Sequence, residues 1–185
     1  MGIYYFNNKS TEESTVVQNV ESEQLEAGDR NFAKHEDDDL RLSFEYQIAP
    51  VGYTLIESEK NENDSEDFVK GITLLRTTDY EDMQSGPDRG GPPSINIRVF
   101  DNTGSNLETW MTANTLLTND QGVQEEIEVD GKEAIHYSWE GMFDGETVVI
   151  QNGDYIYMFE GTYHTNTEDT RQQEFKDLLD SVSFN

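Results

Sequence analysis

Apolar and polar residues alternate most regularly between residues 123 and 163. Three dipeptides, Asp130-Gly131, Asp144-Gly145 and Asn152-Gly153, divide this stretch into four segments rich in β-branched and aromatic residues. Asp-Gly and Asn-Gly readily adopt the positive φ angles that tight hairpin turns require. The pattern therefore predicts four consecutive antiparallel strands in a meander, with a tight turn at each dipeptide.

The same alternation predicts four earlier strands, at residues 42–46, 53–56, 68–77 and 95–100. Between the last two of these strands, residues 85–93 are rich in glycine and proline. Neither a helix nor a sheet accommodates such a composition, so this stretch predicts a long loop.

Two further segments have the spacing of amphipathic helices. In the first, over residues 105–114, Ser105 and Glu108 have the spacing of a capping box. In the second, over residues 168–181, Thr167 is placed to cap the helix. Its apolar residues recur on one stripe: Phe175, Leu178, Leu179 and Val182. Strands at both ends of the chain with helices inserted predict an α+β fold, a twisted antiparallel sheet with helices packed on its faces.

Residues 1–39 differ in composition from the rest. Few apolar residues stand among the acidic and amide side chains of residues 7–39, and the stretch ends in Glu36-Asp37-Asp38-Asp39. We predict a solvated acidic tail over 1–39 and a single α+β domain over 40–185. Residues 15–20 are β-branched enough to add to a sheet edge of the same domain or of a neighbouring molecule, which would allow self-assembly through the tail.

The first six residues, from Met1 to Phe6, are apolar and aromatic and are followed at once by polar ones. The pattern resembles the end of a membrane helix with tyrosine and phenylalanine at the interface. Six residues cannot span a bilayer by themselves. Two interpretations stay open: a membrane anchor just upstream of Met1, or an ordinary cytosolic start or short strand.

The net charge of the chain excludes some classes of binding partner. With 12 basic and 39 acidic residues, the net charge is −27. Such a field repels phosphate backbones and anionic membrane surfaces, so we expect no nucleic-acid partner and no membrane contact except through an anchor. The acidic excess indicates either solubility or, alternatively, adaptation to salt or attraction of divalent cations. Cysteine is absent, which excludes disulfides, thiolate catalysis and cysteine-ligated metals.

Several segments together resemble small bacterial extracytoplasmic proteins of uncharacterised function with a PsbP/Mog1-like fold. The matching residues are Gly52–Leu55, Pro92–Ile97, Trp110, Val129–Tyr137, Tyr155–Phe159 and Phe175–Phe184. The resemblance covers residues 40 to 185 and implies a twisted antiparallel sheet with helices on its faces. It further implies a non-catalytic binding or assembly module outside the cytoplasm, with no ligand motif to transfer. Together with the apolar run at residues 1–6, it predicts a membrane-anchored domain.

Catalytic motifs are absent from the sequence. The three histidines, His35, His136 and His164, show neither His-x-x-x-His nor Glu-x-x-His spacing, so a dedicated zinc site is not supported. The nucleophile motif Gly-x-Ser-x-Gly and the phosphate-binding loop are missing as well. We therefore expect no catalytic residue, no enzyme activity and histidines that face solvent or make a single hydrogen bond.

Calcium is the cofactor for which weak candidates exist. Residues 61–67 offer side-chain oxygens from Asn61, Asn63, Asp64 and Asp67, but Glu66 and Ile72 stand where an EF-hand needs glycine and glutamate. A second acidic run, Asp37, Asp38 and Asp39, offers three carboxylates. We expect a solvated acidic loop in both places, with weak calcium binding as the alternative, and no other cofactor.

The sequence thus predicts a non-catalytic extracytoplasmic binding or assembly module whose partner, protein or small ligand, is unknown. The alternative is an acidic divalent-cation-binding or salt-adapted surface protein, and an enzyme comes third. The aromatic residues of the second and fourth strands of the meander predict core packing, because such a stripe is usually buried; they are Trp139, Tyr155, Tyr157, Phe159 and Tyr163.

Overall fold

The computed structural model describes residues 30–85, 91–114, 123–164 and 169–185. Its strands, in chain order, are β1 (Asn31–Asp37), β2 (Leu42–Ala49), β3 (Tyr53–Glu59), β4 (Phe68–Arg76), β5 (Ile95–Asp101), β6 (Gln124–Val129), β7 (Lys132–Glu140), β8 (Asp144–Asn152), β9 (Tyr155–Tyr163) and β10 (Ser183–Phe184). Its helices are α1 (Thr77–Ser85), α2 (Leu107–Ala113) and α3 (Arg171–Ser181).

The strands form two antiparallel sheets. The large sheet has seven strands in the order β3-β4-β5-β9-β8-β7-β6, and the small sheet has three in the order β1-β2-β10. Pairing of β5 with β9 joins the two halves of the large sheet, with Ile97 opposite Phe159. The predicted α+β class and the antiparallel sheet with helices are confirmed.

Each face of the large sheet is covered by a different layer. On one face, the apolar side of β2 and the stripe of α3 pack against the sheet, with Leu42, Phe44 and Phe175 fully buried. On the other face, α2 contributes Trp110 and Met111 to a smaller core that includes Phe100 and Met158. The predicted burial of Trp110, Phe175 and Leu178 is confirmed, whereas Leu179 is half-buried at the edge of the helix stripe.

The four-strand meander over residues 123–163 is confirmed, but one of its predicted turns is wrong. At the first turn, Asp130 and Gly131 have φ angles of 47° and 70°, as a tight hairpin requires. Asp144 and Gly145 instead lie inside β8, where they pair with Tyr163 and Thr162 of β9. The indole of Trp139 would come within 2.2 Å of a Cβ at Gly145. Glycine is needed there for close packing and not for a turn.

The boundary of the domain is earlier than predicted. Strand β1 occupies residues 31–37 of the predicted tail and pairs with β2 over its whole length, with His35 opposite Phe44. Most side chains of residues 31–37 are polar, so their composition resembles that of the tail. The strand lies at the edge of the small sheet, where its outward side chains are solvated.

The helices also differ in detail from the prediction. Helix α1 was not predicted. None of its residues is buried, and without an apolar stripe its sequence shows no helical period. Helix α2 is capped by the side chain of Asn106, which accepts a hydrogen bond from Thr109 N at 2.8 Å, and not by Ser105. The predicted cap of α3, Thr167, lies outside the described residues.

Other predictions also fall outside the described residues. They concern the anchor-like run from Met1 to Phe6, the strand-forming residues 15–20 and most of the loop over residues 85–93. Among the helices that the structure describes, none combines the length and the apolar character needed to cross a bilayer.

Candidate functional site

An open, mostly acidic depression lies where β1 approaches the β3–β4 edge of the large sheet. We call it the acidic depression; it is lined by Lys34, His35, Glu36, Asp37, Asp38, Asp39, Glu57 and Lys70. His35 and Asp37 are two residues apart on β1 and therefore lie on the same face of that strand. Glu57 of β3 and Lys70 of β4 complete the centre of the depression.

Local hydrogen bonds fix the position of Asp37. Its Oδ1 accepts a hydrogen bond from Leu40 N at 3.0 Å, which holds the turn between β1 and β2. Its Oδ2 accepts one from Lys70 Nζ at 2.9 Å. Burial opposes ionisation of Asp37, but the hydrogen bonds from Lys70 and Leu40 outweigh it and lower the pKa of this carboxyl.

Lys70 is the cation at the centre of the depression. Its Nζ lies 2.9 Å from Asp37 Oδ2 and 3.2 Å from Glu57 Oε1. Burial by itself would lower the pKa of Lys70, but hydrogen bonds to the two carboxylates outweigh it and raise that pKa. Lys70 is therefore charged throughout the neutral range.

His35 closes the depression from the small sheet. The residue is 8% exposed, and its ring packs on that of Phe44 with 4.9 Å between centroids. Its Nε2 lies 3.8 Å from Glu57 Oε1 and makes no hydrogen bond. Burial lowers the pKa of His35, although Glu57 acts in the opposite direction, so the ring is neutral at pH 7.

His35, Asp37 and Glu57 can each direct one ligand atom to a common point, because these atoms lie within 4.8 Å of one another. Of the predicted calcium candidates in this region, Asp37 belongs to the trio, while Asp38 and Asp39 are exposed on the rim. His35 was not predicted as a ligand, and neither was Glu57. One local feature could have indicated the site: His35 and Asp37 are two residues apart, which places them on the same face of a strand. The sequence did not predict that strand.

The other predicted calcium candidates form no comparable cluster. Asp64 Oδ2 accepts a hydrogen bond from Asn61 N at 2.8 Å, and Asn61 Oδ1 accepts one from Asn63 N at 2.9 Å. These oxygens stabilise the turn between β3 and β4. Asp67 points to the opposite layer, where its Oδ2 accepts a hydrogen bond from Trp110 Nε1 at 3.3 Å.

A second polar cluster surrounds Glu146, which is 6% exposed. Its Oε1 accepts hydrogen bonds from Gln172 Nε2 and from the hydroxyl of Tyr163, the latter at 3.2 Å. His136 Nε2 lies 3.6 Å from its Oε2, and burial together with Glu146 raises the pKa of Tyr163 to about 12. The bonds from α3 mean that this cluster ties the helix to the sheet. His136 is half-buried between the carboxylates of Glu125 and Glu146, whereas His164 is exposed.

The beginning of α3 is held by a third set of charges. Arg76 Nη2 donates hydrogen bonds to both carboxylate oxygens of Glu174, at 2.9 and 3.0 Å. The hydroxyl of Tyr53 donates to the same carboxylate. Charge-assisted hydrogen bonds are stronger than neutral ones, and those from Arg76 of β4 and Tyr53 of β3 hold the helix on the β3–β4 edge.

Comparison with known proteins places the fold. No protein-family model matches the chain, and no curated protein matches it significantly. The solution structure of cyanobacterial PsbP (CyanoP) from Synechocystis sp. PCC 6803 is similar, with a TM-score of 0.55, 10% sequence identity, and coverage of 89% of this chain and 98% of that chain. A crystal structure from Bacteroides thetaiotaomicron VPI-5482 has a TM-score of 0.47 and 11% identity, covering 82% of this chain and 48% of that chain.

The similarity defines the class of protein as an α+β domain with a PsbP-like fold. The predicted resemblance is therefore confirmed at the level of the fold. At 10% identity it transfers no site residue.

Proposed function

We propose that the protein is a non-catalytic, extracytoplasmic binding module that holds a cationic ligand in the acidic depression. The observation that carries this proposal is the convergence of Asp37 and Glu57 on the ammonium group of Lys70. The partly buried carboxylates of Asp37 and Glu57 already bind one positive charge, the ammonium of Lys70. The exposed Asp38 and Asp39 add negative charge at the rim of the depression.

Electrostatics supports a cationic ligand. A depression lined mostly by one sign of charge concentrates ions of the opposite sign, and the net charge of −27 reinforces the local field. Nucleic acid and anionic lipid are disfavoured as partners for the same reason. Protein partners with a basic segment and small cations both fit this chemistry.

The absence of catalysis is part of the proposal and rests on two supports. The resemblance to PsbP-like proteins implies binding or assembly and not turnover. The buried carboxylate of Glu146 is engaged by Tyr163 and Gln172. A carboxylate that stabilises the docking of α3 is poorly placed to exchange protons with a substrate.

The extracytoplasmic location rests on the same resemblance and on the apolar run at the start of the sequence. A fusion to a reporter that is active only outside the cytoplasm, expressed from the full gene, tests it. Reporter activity confined to the cytoplasm would contradict this part of the proposal without touching the binding site.

Titration of the ¹⁵N-labelled chain tests the binding surface. We expect CaCl₂ or a short oligolysine peptide to give saturable shifts at the amides of His35, Glu57 and Lys70. The charge-removing variant Asp38→Asn should weaken this binding, whereas Asp154→Asn, an exposed aspartate outside the depression, should not. Shifts spread evenly over all acidic residues would mean that the depression is only part of a general field.

A salt-adapted surface protein is the second candidate, favoured by the net charge of −27. In that case screening of repulsion, and not occupancy of one site, would dominate the response to cations. The dependence of stability on NaCl, treated in the Discussion, separates the two.

A further inference from the structure

We propose that His35, Asp37 and Glu57 bind a first-row transition-metal ion, and that Lys70 is a resident cation which the metal displaces. This inference rests on the proposed function, because the metal is then the cationic ligand of the acidic depression. It goes beyond the weak calcium binding that the sequence left open as an alternative, since the trio includes an imidazole nitrogen.

The separation of the ligand atoms is close to what a metal needs. Two ligands bound to zinc at about 2.0–2.2 Å lie roughly 3.4 Å apart in a tetrahedral site. The three atoms here lie within 4.8 Å of one another, and His35 Nε2 is already 3.8 Å from Glu57 Oε1. Small rotations of the two carboxylates therefore suffice to close the site, with solvent as the fourth ligand.

The imidazole provides an observation independent of the acidic residues. His35 is 8% exposed, yet its Nε2, which faces Glu57, makes no hydrogen bond. Buried polar atoms in native proteins are nearly always satisfied. A metal ion at the common point of the trio would supply the missing partner of this nitrogen.

Lys70 explains how the two carboxylates are stabilised without a metal. Its ammonium group neutralises the carboxylates in place of a metal ion, with Nζ 2.9 Å from Asp37 Oδ2 and 3.2 Å from Glu57 Oε1. The side chain is 16% exposed and lies beside the open part of the depression. Its flexible four-carbon stem allows the ammonium to move toward the carboxylates of the rim when a metal enters.

The donor set also predicts which ions bind. Imidazole suits zinc, copper, nickel and iron, whereas calcium and magnesium prefer an all-oxygen shell. We therefore expect the order of affinity to be Zn²⁺ above Mn²⁺, and both above Ca²⁺ and Mg²⁺. Competition from Lys70 should make even the zinc affinity modest in the wild-type chain.

Calorimetric titration of the metal-free full chain with ZnCl₂, MnCl₂ and CaCl₂ tests the inference. His35→Gln should weaken zinc binding at least about tenfold, as loss of one ligand does, and leave calcium binding nearly unchanged. Lys70→Met should strengthen zinc binding at least about tenfold, because the competing charge is gone. The imidazole ¹⁵N shifts of His35 in the wild-type chain give a readout that needs no variant.

Two matched controls make the test specific. His164→Gln removes an exposed histidine outside the depression and should not change zinc binding. Asp39→Asn removes the same charge as Glu57→Gln but from the rim, so it should weaken zinc binding much less. Circular dichroism of each variant checks that it folds, and Glu57→Gln replaces His35→Gln as the test if the latter is unfolded.

Unchanged zinc affinity in His35→Gln, or a loss of affinity in Lys70→Met, would overturn the metal site. So would unchanged ¹⁵N shifts of His35 on addition of zinc. If calcium or oligolysine still saturates the depression in that case, the proposed binding surface stands and only the metal assignment is wrong. If no cation shifts the amides around Lys70, both proposals fail.

Discussion

A methyl group added at Gly161 would test how closely α3 packs on the large sheet. Gly161 lies in β9 between Ile95 of β5 and Glu146 of β8, so strands on both sides hold its backbone. A Cβ at this position would lie 2.6, 2.8 and 2.9 Å from three ring carbons of Phe175. The Phe175 side chain is fully buried, so any displacement of its ring must move neighbouring core side chains.

Two effects of opposite sign decide the outcome of Gly161→Ala. Removing a glycine stabilises a protein by about 0.4–1 kcal/mol when the native backbone accepts the change, because the unfolded chain loses freedom. Forcing an extra carbon into a packed core costs about 1–3 kcal/mol. Carbon atoms prefer to be about 3.5–4.0 Å apart, so the contacts at Phe175 require a real displacement. We expect the free energy of unfolding to fall by about 1–3 kcal/mol.

Urea denaturation followed by circular dichroism measures the effect. Gly141→Ala is the matched control, since the nearest atoms to its added Cβ lie at 3.4 and 3.8 Å, which is ordinary contact. Its free energy of unfolding should stay within about 0.5 kcal/mol of the wild type, as for most surface changes.

A double-mutant cycle with Phe175→Ala identifies the cause. Phe175→Ala alone should cost about 3–5 kcal/mol, as deletion of a buried phenylalanine does. In that background the methyl at position 161 enters vacated space, so it should be neutral or stabilising, which gives a coupling of at least about 1 kcal/mol. Additive effects, or a Gly161→Ala variant more stable than the wild type, would refute the packing described here.

Three further predictions concern the core, the charge and the start of α3. Leu178→Ala should lower the free energy of unfolding by about 2–5 kcal/mol, since Leu178 is 2% exposed; a loss below about 1 kcal/mol would mean that α3 is not docked. The melting temperature should rise from dilute buffer to about 0.5 M NaCl, because salt screens the repulsion of a net charge of −27; a flat profile would remove the salt-adaptation alternative. Burial opposes ionisation of Asp169, but hydrogen bonds from the backbone N–H groups of Arg171 and His164 outweigh it and lower its pKa. Its stabilisation should therefore be complete above the ordinary aspartate pKa of about 3.9 and be lost as the pH falls through the lower folded value. Asp169→Asn should cost about 1–3 kcal/mol at pH 7, and stability curves of both proteins should converge in strong acid.

Local patterns predicted the elements whose residues repeat with a clear period. The alternation in residues 132–139 and 154–163 predicted strands, and the stripe that includes Phe175 and Leu178 predicted a helix. Such periods are visible in the sequence because one face of each element is apolar and the other is solvated. Helix α1 and strand β1 escaped prediction for the opposite reason, since α1 has no buried residue and β1 buries few.

The candidate site could not be predicted in the same way. Its four central residues come from three strands that belong to two different sheets, and Asp37 and Lys70 are far apart in the sequence. Their meeting depends on how the small sheet lies against the β3–β4 edge, which no periodicity records. In the sequence, Asp37 stands out only for its charge, and His35 lies in a stretch with the composition of a tail.

By itself, the sequence determined the α+β class, the meander and the buried faces of α2 and α3, because each follows from residues that are neighbours in the chain. It also determined the acidic field, which is a simple sum of charges. The tertiary structure alone decided the role of Gly145, the place of His35 beside Glu57, and the capture of Lys70 by two carboxylates. These depend on side chains that are brought together only when distant strands pair and pack, and the free energy that selects one such arrangement is spread over the whole core.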